Sequence, residues 1–129
     1  MKPILLVCNL PEEKQTKVCQ LAEGLGVRCR VVIPGEQGRT AGELCGLKGS
    51  GKPVSPMLQP FSEELLLMAF FPEALMDQFL AALRAQQTPV ALKCALTPTN
   101  SGWTLIALMR ELKQEHQAMQ QLNRRVHPQ

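Results

Sequence analysis

Aromatic residues are scarce in this chain: its 129 residues include four Phe, one Trp and no Tyr. The core must therefore be built mainly from aliphatic side chains and Met. Charge of one sign is scarce as well, because the net charge is only +3. Proteins that bind RNA or DNA usually offer aromatic rings for base stacking or a strongly basic face. We therefore expect no nucleic-acid partner.

Cysteine spacing gives no sign of a disulfide framework or a metal site. The chain has five cysteines and two histidines, but it has no C-x-x-C pair, and both histidines lie far from every cysteine in sequence. Cys8, Cys29 and Cys94 fall within apolar strand patterns, where a reduced thiol acts as a small hydrophobic side chain. The pattern predicts no disulfide, no bound metal and no cofactor, and it is typical of a reducing cytoplasm.

Long apolar runs are also missing. The first run, from Ile4 to Cys8, ends at Asn9 and Pro11. It is too short for a signal peptide, and a membrane helix needs ~18 consecutive apolar residues. We therefore predict that this run is a β-strand, and we expect no contact with a membrane.

Hydrophobic periodicity divides the sequence into strands and helices. Wholly apolar runs are typical of central strands, whereas alternating runs are typical of edge strands. Each central strand is followed by a proline and glutamate that favour the first turn of a helix. The predicted central strands are 4–8 and 64–71, and the predicted edge strands are 27–33 and 90–96.

The order of these elements predicts an α+β fold. We expect a ferredoxin-like β-α-β-β-α-β arrangement with a four-stranded antiparallel sheet, both short helices on one face, and a long C-terminal helix. A small open parallel sheet is the alternative. The chain is predicted to be a single domain. Its parts are a first β-α-β unit (1–33), a flexible Gly/Pro-rich loop (34–60), a second β-α-β unit (61–101), the C-terminal helix (102–123) and a tail (124–129).

The candidate site combines basic strand residues with a polar helix start. By strand alternation, Lys93, Arg28 and Arg30 are predicted to share the sheet face opposite the short helices, where they could receive an anionic ligand. Helix-start amides could contribute to the same site. The further candidates are Thr97, Thr99, Asn100 and Trp103.

Structural explanations exist for the same residues. Charged side chains on edge strands discourage aggregation between sheets. Asn100 or Ser101 is predicted to cap the last helix by accepting an amide hydrogen bond. The helix itself is predicted to pack on the open sheet face of its own chain or against a second copy.

The catalytic inventory is poor, because no Ser/His/Asp or Cys/His pairing is suggested by position. The sequence therefore favours a noncatalytic module that acts by protein–protein interaction or by self-association as a homodimer. The alternative is a small-molecule sensor that binds an anionic metabolite near Lys93 and the start of the C-terminal helix. An enzyme is the least favoured class.

The segment Leu92-Lys-Cys-Ala-Leu-Thr-Pro-Thr-Asn100, followed by Trp103-Thr104, resembles a small bacterial family of domains of unknown function. The similarity extends from about Leu65 to His116. It implies a cytosolic bacterial protein and brings no activity, cofactor or catalytic residue with it.

Overall fold

The computed structural model describes residues 2–47 and 59–126. These residues form four strands, four α-helices and two 3-10 turns. The strands are β1 (Ile4–Cys8), β2 (Arg28–Val32), β3 (Leu65–Ala69) and β4 (Leu92–Ala95). The helices are α1 (Glu12–Gly24), α2 (Ala41–Leu44), α3 (Glu73–Ala85) and α4 (Leu105–Val126), and the 3-10 turns are Pro34–Glu36 and Asn100–Gly102.

The four strands form one mixed sheet in the order β2-β1-β3-β4. β1 pairs with β2 in parallel, β3 pairs with β4 in parallel, and the two central strands are antiparallel. The α+β class, the central positions of β1 and β3 and the long C-terminal helix are confirmed. The predicted all-antiparallel, ferredoxin-like pairing is wrong, and so is the all-parallel alternative.

The physical reason lies in where each crossover lands. A helix between two strands returns the chain so that the second strand runs in the same direction as the first. An all-antiparallel sheet would require each crossover to skip one strand position. Here each second strand lies directly beside its first, so the pairing within each unit is parallel.

Helices cover both faces of the sheet, which explains why every residue of β1 and β3 is buried. α1 and α3 lie on one face, as predicted from right-handed crossovers. α2 and α4 cover the other face, so α4 packs on its own sheet. The α1/α3 face buries Leu5, Val7, Val18, Ala22, Leu66, Met68, Phe79 and Leu83. The α2/α4 face buries Ile4, Leu6, Cys8, Leu44, Leu65, Leu67, Leu105, Leu108 and Met109.

The two strand–helix units repeat one another with an offset of 61 positions, from β1 at Ile4 and β3 at Leu65. Asn9 and Phe70 directly follow the central strands, and both have a positive φ, of 61° and 63°. α1 and α3 each begin after a proline and each contain 13 residues. The two units are therefore related by an approximate local two-fold axis that passes between β1 and β3.

Both helices end in the same hydrogen-bonded motif. Gly26 and Gln87 have positive φ values of 80° and 52°. The amides of the next residues, Val27 and Thr88, donate to carbonyls five positions earlier, at 2.9 and 3.0 Å. This is the Schellman arrangement, which satisfies the last carbonyls of a helix and turns the chain away from its axis.

The units diverge immediately after this motif. In the first unit Val27 leads directly into β2 at Arg28, whereas the second unit has three additional residues, Pro89-Val-Ala91, before β4. An odd number of added residues reverses which strand positions face which side of the sheet. Lys93 therefore occupies the register position of Cys29, since each lies beside the second residue of the neighbouring central strand.

The predicted flexible loop contains defined structure in its first part. Residues 34–47 include a 3-10 turn and α2, in which Ala41 and Leu44 are buried. Residues 48–58 of that loop and the last three residues of the predicted tail lie outside the described residues. No helix in the described part of the chain is long and apolar enough to cross a membrane.

Candidate functional site

The predicted basic face does not assemble. Lys93 lies beside Leu66, which packs under α1 and α3, so its side chain is on the face of the short helices. Arg28 and Arg30 lie beside Ile4 and Leu6, which pack under α2 and α4. The predicted face was correct for the two arginines and wrong for the lysine, because Pro89-Val-Ala91 reverses the parity of β4.

Arg30 makes structural contacts. Its guanidinium donates to the carbonyl oxygen of Leu44 and to the Glu36 carboxylate, both at 2.8 Å. Partial burial acts to raise the pKa of Glu36, but hydrogen bonds from the Ile33 amide and Arg30 outweigh it and hold that pKa below its usual value. Arg30 therefore ties β2 to α2. Arg28 is exposed on the same strand.

The turn after β4 is organised by Asn100. Its side-chain oxygen accepts from the Thr97 amide at 2.8 Å, and its side-chain nitrogen donates to the carbonyl of Ala95 at 3.1 Å. The Thr97 hydroxyl in turn accepts from the Asn100 amide at 3.1 Å. Asn100 is buried, while Thr99 and Trp103 are exposed. The polar run therefore builds a turn whose amide and hydroxyl groups bond to one another.

The start of α4 has no free amides for an anion. The amides of Leu105 and Ile106 donate to the carbonyls of Arg39 and Gln37, both at 3.2 Å. The Ala107 amide donates to the Thr104 hydroxyl at 3.1 Å. Thr104 is therefore the capping residue, and the predicted cap by Asn100 or Ser101 is wrong. Because these donors are occupied and Lys93 lies on the other face, the predicted anion site between them is not formed.

A groove missed by sequence reasoning lies between the end of α3 and the start of β4. Its volume is about 850 Å³, within the range of about 300–1,000 Å³ that is common for ligand sites. The floor is mostly apolar and the rim is charged. We call it the corner groove. It is lined by Lys14, Glu64, Leu80, Leu83, Arg84, Gln87, Thr88, Pro89, Val90, Ala91 and Lys93.

The sequence contains an indication of the corner groove, but this indication becomes visible only when the two repeated units are aligned with each other. Aligning the two units at Asn9 and Phe70 leaves Pro89-Val-Ala91 without a counterpart, and all three residues line the groove. Hydrophobic periodicity alone assigned Val90 and Ala91 to the strand. It therefore gave no indication that they leave the strand pattern and form a wall.

A smaller cavity of about 320 Å³ lies on the other face of the same sheet corner and shares Glu64 and Ala91 with the corner groove. Lys113 on α4 bonds the Glu63 carboxylate there. That hydrogen bond is the main reason why the pKa of Glu63 lies below its usual value. The ion pair fixes α4 to the loop before β3.

Cysteine chemistry differs from the prediction at one pair. Cys19 on α1 and Cys29 on β2 form a disulfide, with their Cα atoms 5.6 Å apart. The two residues are ten positions apart in sequence, but the turn after α1 brings the helix back over β2. The prediction that no disulfide forms is therefore wrong for this pair.

The other three thiols are free and at least partly buried. Burial raises the pKa of Cys8 and of Cys94 to about 12 and that of Cys45 to about 11. These thiols are therefore protonated near neutral pH and are poor nucleophiles. Among residues 2–47 and 59–126, no group of three or more His, Cys, Asp or Glu side chains is arranged to hold a metal ion.

Comparison with known proteins gives one match. Neither the curated proteins nor the solved structures contain a match to this chain. The family model described as a domain of unknown function (DUF3783) matches residues 64–119, which include β3, α3, β4 and much of α4. The resemblance to a family of domains of unknown function is thus confirmed over residues 64–119, where the chain is similar to the DUF3783 family.

Proposed function

We propose that the protein is a noncatalytic module that self-associates through the outer edge of β2. The observation that carries this proposal is the exposure of apolar side chains along an edge strand. Val31 is 41 % exposed and Ile33, directly after the strand, is 59 % exposed. Edge strands offer unpaired backbone groups, and soluble proteins usually guard them with charge.

The charged side chains near this edge do not protect its second half, from Val31 to Ile33, against pairing with another strand. Arg30 is drawn toward α2 by Glu36 and the Leu44 carbonyl. Arg28 is exposed, but it lies at the beginning of the strand, away from Val31. The opposite edge differs, because β4 has four residues and carries the exposed Lys93 in its middle. β2 is therefore the better edge for pairing.

Two copies of β2 can pair antiparallel about a two-fold axis at Val31. This register places Val31 opposite its own copy, Arg30 opposite Val32 and Cys29 opposite Ile33. It separates the arginines of the two copies and joins apolar side chains on the α1 side of both sheets. A two-fold contact of this kind uses the same surface on both molecules and closes as a dimer.

The distribution of titratable groups supports a noncatalytic role. The carboxylates with lowered pKa, Glu36 and Glu63, are engaged in ion pairs that join elements of the fold. The thiols with raised pKa lie among apolar side chains on the α2/α4 face. Catalytic sites instead gather groups with shifted pKa values around one cavity.

Sedimentation equilibrium of the full chain tests the proposal. We expect the wild-type protein to show a concentration-dependent mass that approaches twice that of the monomer. Val31→Lys should give the monomer mass at every concentration, because the substitution puts a charge at the centre of the contact. Met119→Lys is the matched control: Met119 is 57 % exposed on α4 and should leave dimerisation unchanged.

Two results would contradict the proposal. A wild-type protein that stays monomeric would mean that the edge does not pair with itself. A dimer that persists in Val31→Lys, with circular dichroism showing an intact fold, would place the contact on another surface. Hydrogen exchange identifies the pairing directly, since the β2 amides that point away from β1 should be protected only in the dimer.

A further inference from the structure

The corner groove combines two features of a ligand site. Its floor is formed by Leu80 and Leu83 of α3 and is flanked by Val90, and both Leu83 and Val90 are almost completely buried. Its rim carries cationic side chains from different elements, Arg84 on α3 and Lys93 on β4. An apolar floor with a few charged groups at one side is the usual composition of a small-molecule site.

The cations differ in how far their charge is already neutralised. Lys14, on the same rim, is hydrogen-bonded to the Glu64 carboxylate, so this pair adds no net charge. Arg84 is exposed and makes no side-chain ion pair or hydrogen bond within the described part of the chain. The Lys93 ammonium donates to the Val90 carbonyl. That bond uses one of its three N–H groups and leaves two available.

We propose that the corner groove binds an amphiphilic monocarboxylate, that is, an aliphatic chain that ends in one carboxylate group. The carboxylate accepts hydrogen bonds from Arg84, whose planar guanidinium suits two parallel bonds, and from Lys93. The aliphatic chain lies over Leu80, Leu83 and Val90. Charge complementarity selects the anion, and the apolar floor selects the chain.

The fold supports this assignment, because the groove depends on a feature absent from the first unit. Pro89-Val-Ala91 has no counterpart between α1 and β2, and these three residues form one wall of the groove. The same insertion reverses the parity of β4 and turns Lys93 toward the groove. One sequence difference between the two units therefore creates both the apolar wall and one of the two cations.

This proposal is independent of self-association. The corner groove lies beside β4, and the proposed dimer contact lies on β2 at the opposite edge of the sheet. Binding can therefore be measured with the monomeric Val31→Lys variant as well as with wild type. Equal ligand affinity in the two proteins would show that ligand binding and self-association are independent, so that either proposal can fail without the other.

Decanoate is the probe, and isothermal titration calorimetry is the measurement. Decanol has the same chain without the charge, decylamine has the opposite charge, and butyrate has the same head group with a short chain. We expect decanoate to bind with affinity at least about tenfold higher than that of each comparator. Decanol and decylamine cannot accept the charge-assisted hydrogen bonds, each worth about that factor, and butyrate lacks most of the apolar chain that the floor would bury.

Variants locate the binding site. Arg84→Gln and Lys93→Gln should each weaken decanoate binding by about tenfold, because each removes one charged donor. Leu80→Asp should abolish binding by placing a carboxylate on the floor. Arg110→Gln is the control, since Arg110 is an exposed cation on α4 away from the groove. Thermal melting without ligand verifies that every variant is folded.

Three results would overturn the proposal. Equal affinity for decanoate and decanol would show that the cations do not recognise the head group. Unchanged decanoate affinity in folded Arg84→Gln and Lys93→Gln would show that binding occurs elsewhere. No detectable decanoate binding to wild type would mean that the groove does not take this class of ligand.

Discussion

A single buried amide, that of Gln37, joins three parts of the chain. Its side chain is fully buried. The side-chain oxygen accepts from the Phe61 amide at 2.8 Å, and the nitrogen donates to the Asn9 side-chain oxygen at 3.3 Å. Asn9 in turn donates to the carbonyls of Phe61 and Glu63. Buried polar groups of this kind are costly when one partner is removed.

We predict that Gln37→Leu destabilises the protein by about 2–3 kcal/mol, because the Phe61 amide and the Asn9 oxygen lose their partner in a partly buried site. Urea unfolding followed by circular dichroism gives the free energy of unfolding. Gln20→Leu is the matched control, because Gln20 is exposed on α1. Equal stability of the two variants would show that the Gln37 contacts contribute no net stability.

The buried thiols make stability depend on pH in the alkaline range. The pKa of Cys94 is about 12 in the folded protein, against an ordinary value of 9.0. A raised folded pKa means that the unfolded chain loses its proton first. The stabilisation is therefore complete below pH 9.0 and is lost as the pH rises toward the folded pKa.

We predict that wild-type stability falls above pH 9.0 and that Cys94→Ala shows a shallower fall. The difference in slope should approach about 1.4 kcal/mol per pH unit, the contribution of one thiol. Tyrosine titration cannot interfere, because the chain contains no Tyr. Identical slopes for the two proteins would contradict a raised pKa at Cys94.

At the scale of the elements, the helix ends determine how each unit turns back onto the sheet. Gly26 and Gln87 occupy equivalent positions with positive φ. Glycine adopts this backbone region freely, whereas other residues adopt it at a cost of about 1–2 kcal/mol. Gln87 therefore carries a strain that Gly26 avoids, at the point where the chain enters the corner groove.

Substitutions at the two positions should have opposite effects. We predict that Gly26→Ala lowers the free energy of unfolding by about 1 kcal/mol and that Gln87→Gly raises it by about 0.5–1 kcal/mol. Gly24→Ala is the control inside α1, where no positive φ is needed and alanine is the better helix former. Chemical denaturation measures all three, and destabilisation by Gln87→Gly would contradict the strain.

At the scale of the whole molecule, β2 depends on a covalent link as well as on its pairing with β1. The Cys19–Cys29 disulfide joins it to α1, and Arg30 joins it to α2. Both links hold the strand whose outer edge is proposed to form the dimer. A bond that closes a short loop of this kind stabilises the fold mainly by restricting the unfolded chain.

We predict that dithiothreitol lowers the stability of the wild-type protein by about 2–3 kcal/mol. Without reductant, the double variant Cys19→Ser/Cys29→Ser should have the same stability as the reduced wild-type protein, and dithiothreitol should not change it. Mass spectrometry of alkylated, denatured protein verifies the state of each cysteine. A wild-type protein whose melting is unaffected by complete reduction would show that the link adds no stability.

Several parts of the fold could be predicted because they depend on neighbouring residues only. The apolar runs at Ile4 and Leu65 indicated buried central strands, and the glutamates after Pro11 and Pro72 indicated helix starts. Three further features could not be predicted, because they depend on distant residues. These are the burial of Gln37 against Phe61, the use of the α4 amides by Arg39 and Gln37, and the disulfide of Cys19.

The candidate site was harder to predict than the fold. Thr97 and Asn100 were predicted to belong to a polar helix start, whereas in the structure they bond to each other in the turn that precedes α4. Lys93 was assigned to the wrong face. Alternation within β4 shows which of its residues share a face, but it does not show which face of the sheet that is. Leu80, Leu83 and Arg84 were interpreted only as helix residues. Their contribution to a groove depends on how α3 lies over the sheet.

The amino-acid order by itself determined the approximate limits of the four strands and of the three longer helices, α1, α3 and α4, and it determined which strands are central. These properties follow from backbone preferences and from local hydrophobic periodicity. Only the tertiary structure decided which strands are neighbours, which face each charge occupies and which cysteines pair. Those properties depend on register between segments far apart in sequence. In β4, three added residues exchange the faces on which its side chains lie, and they create the corner groove.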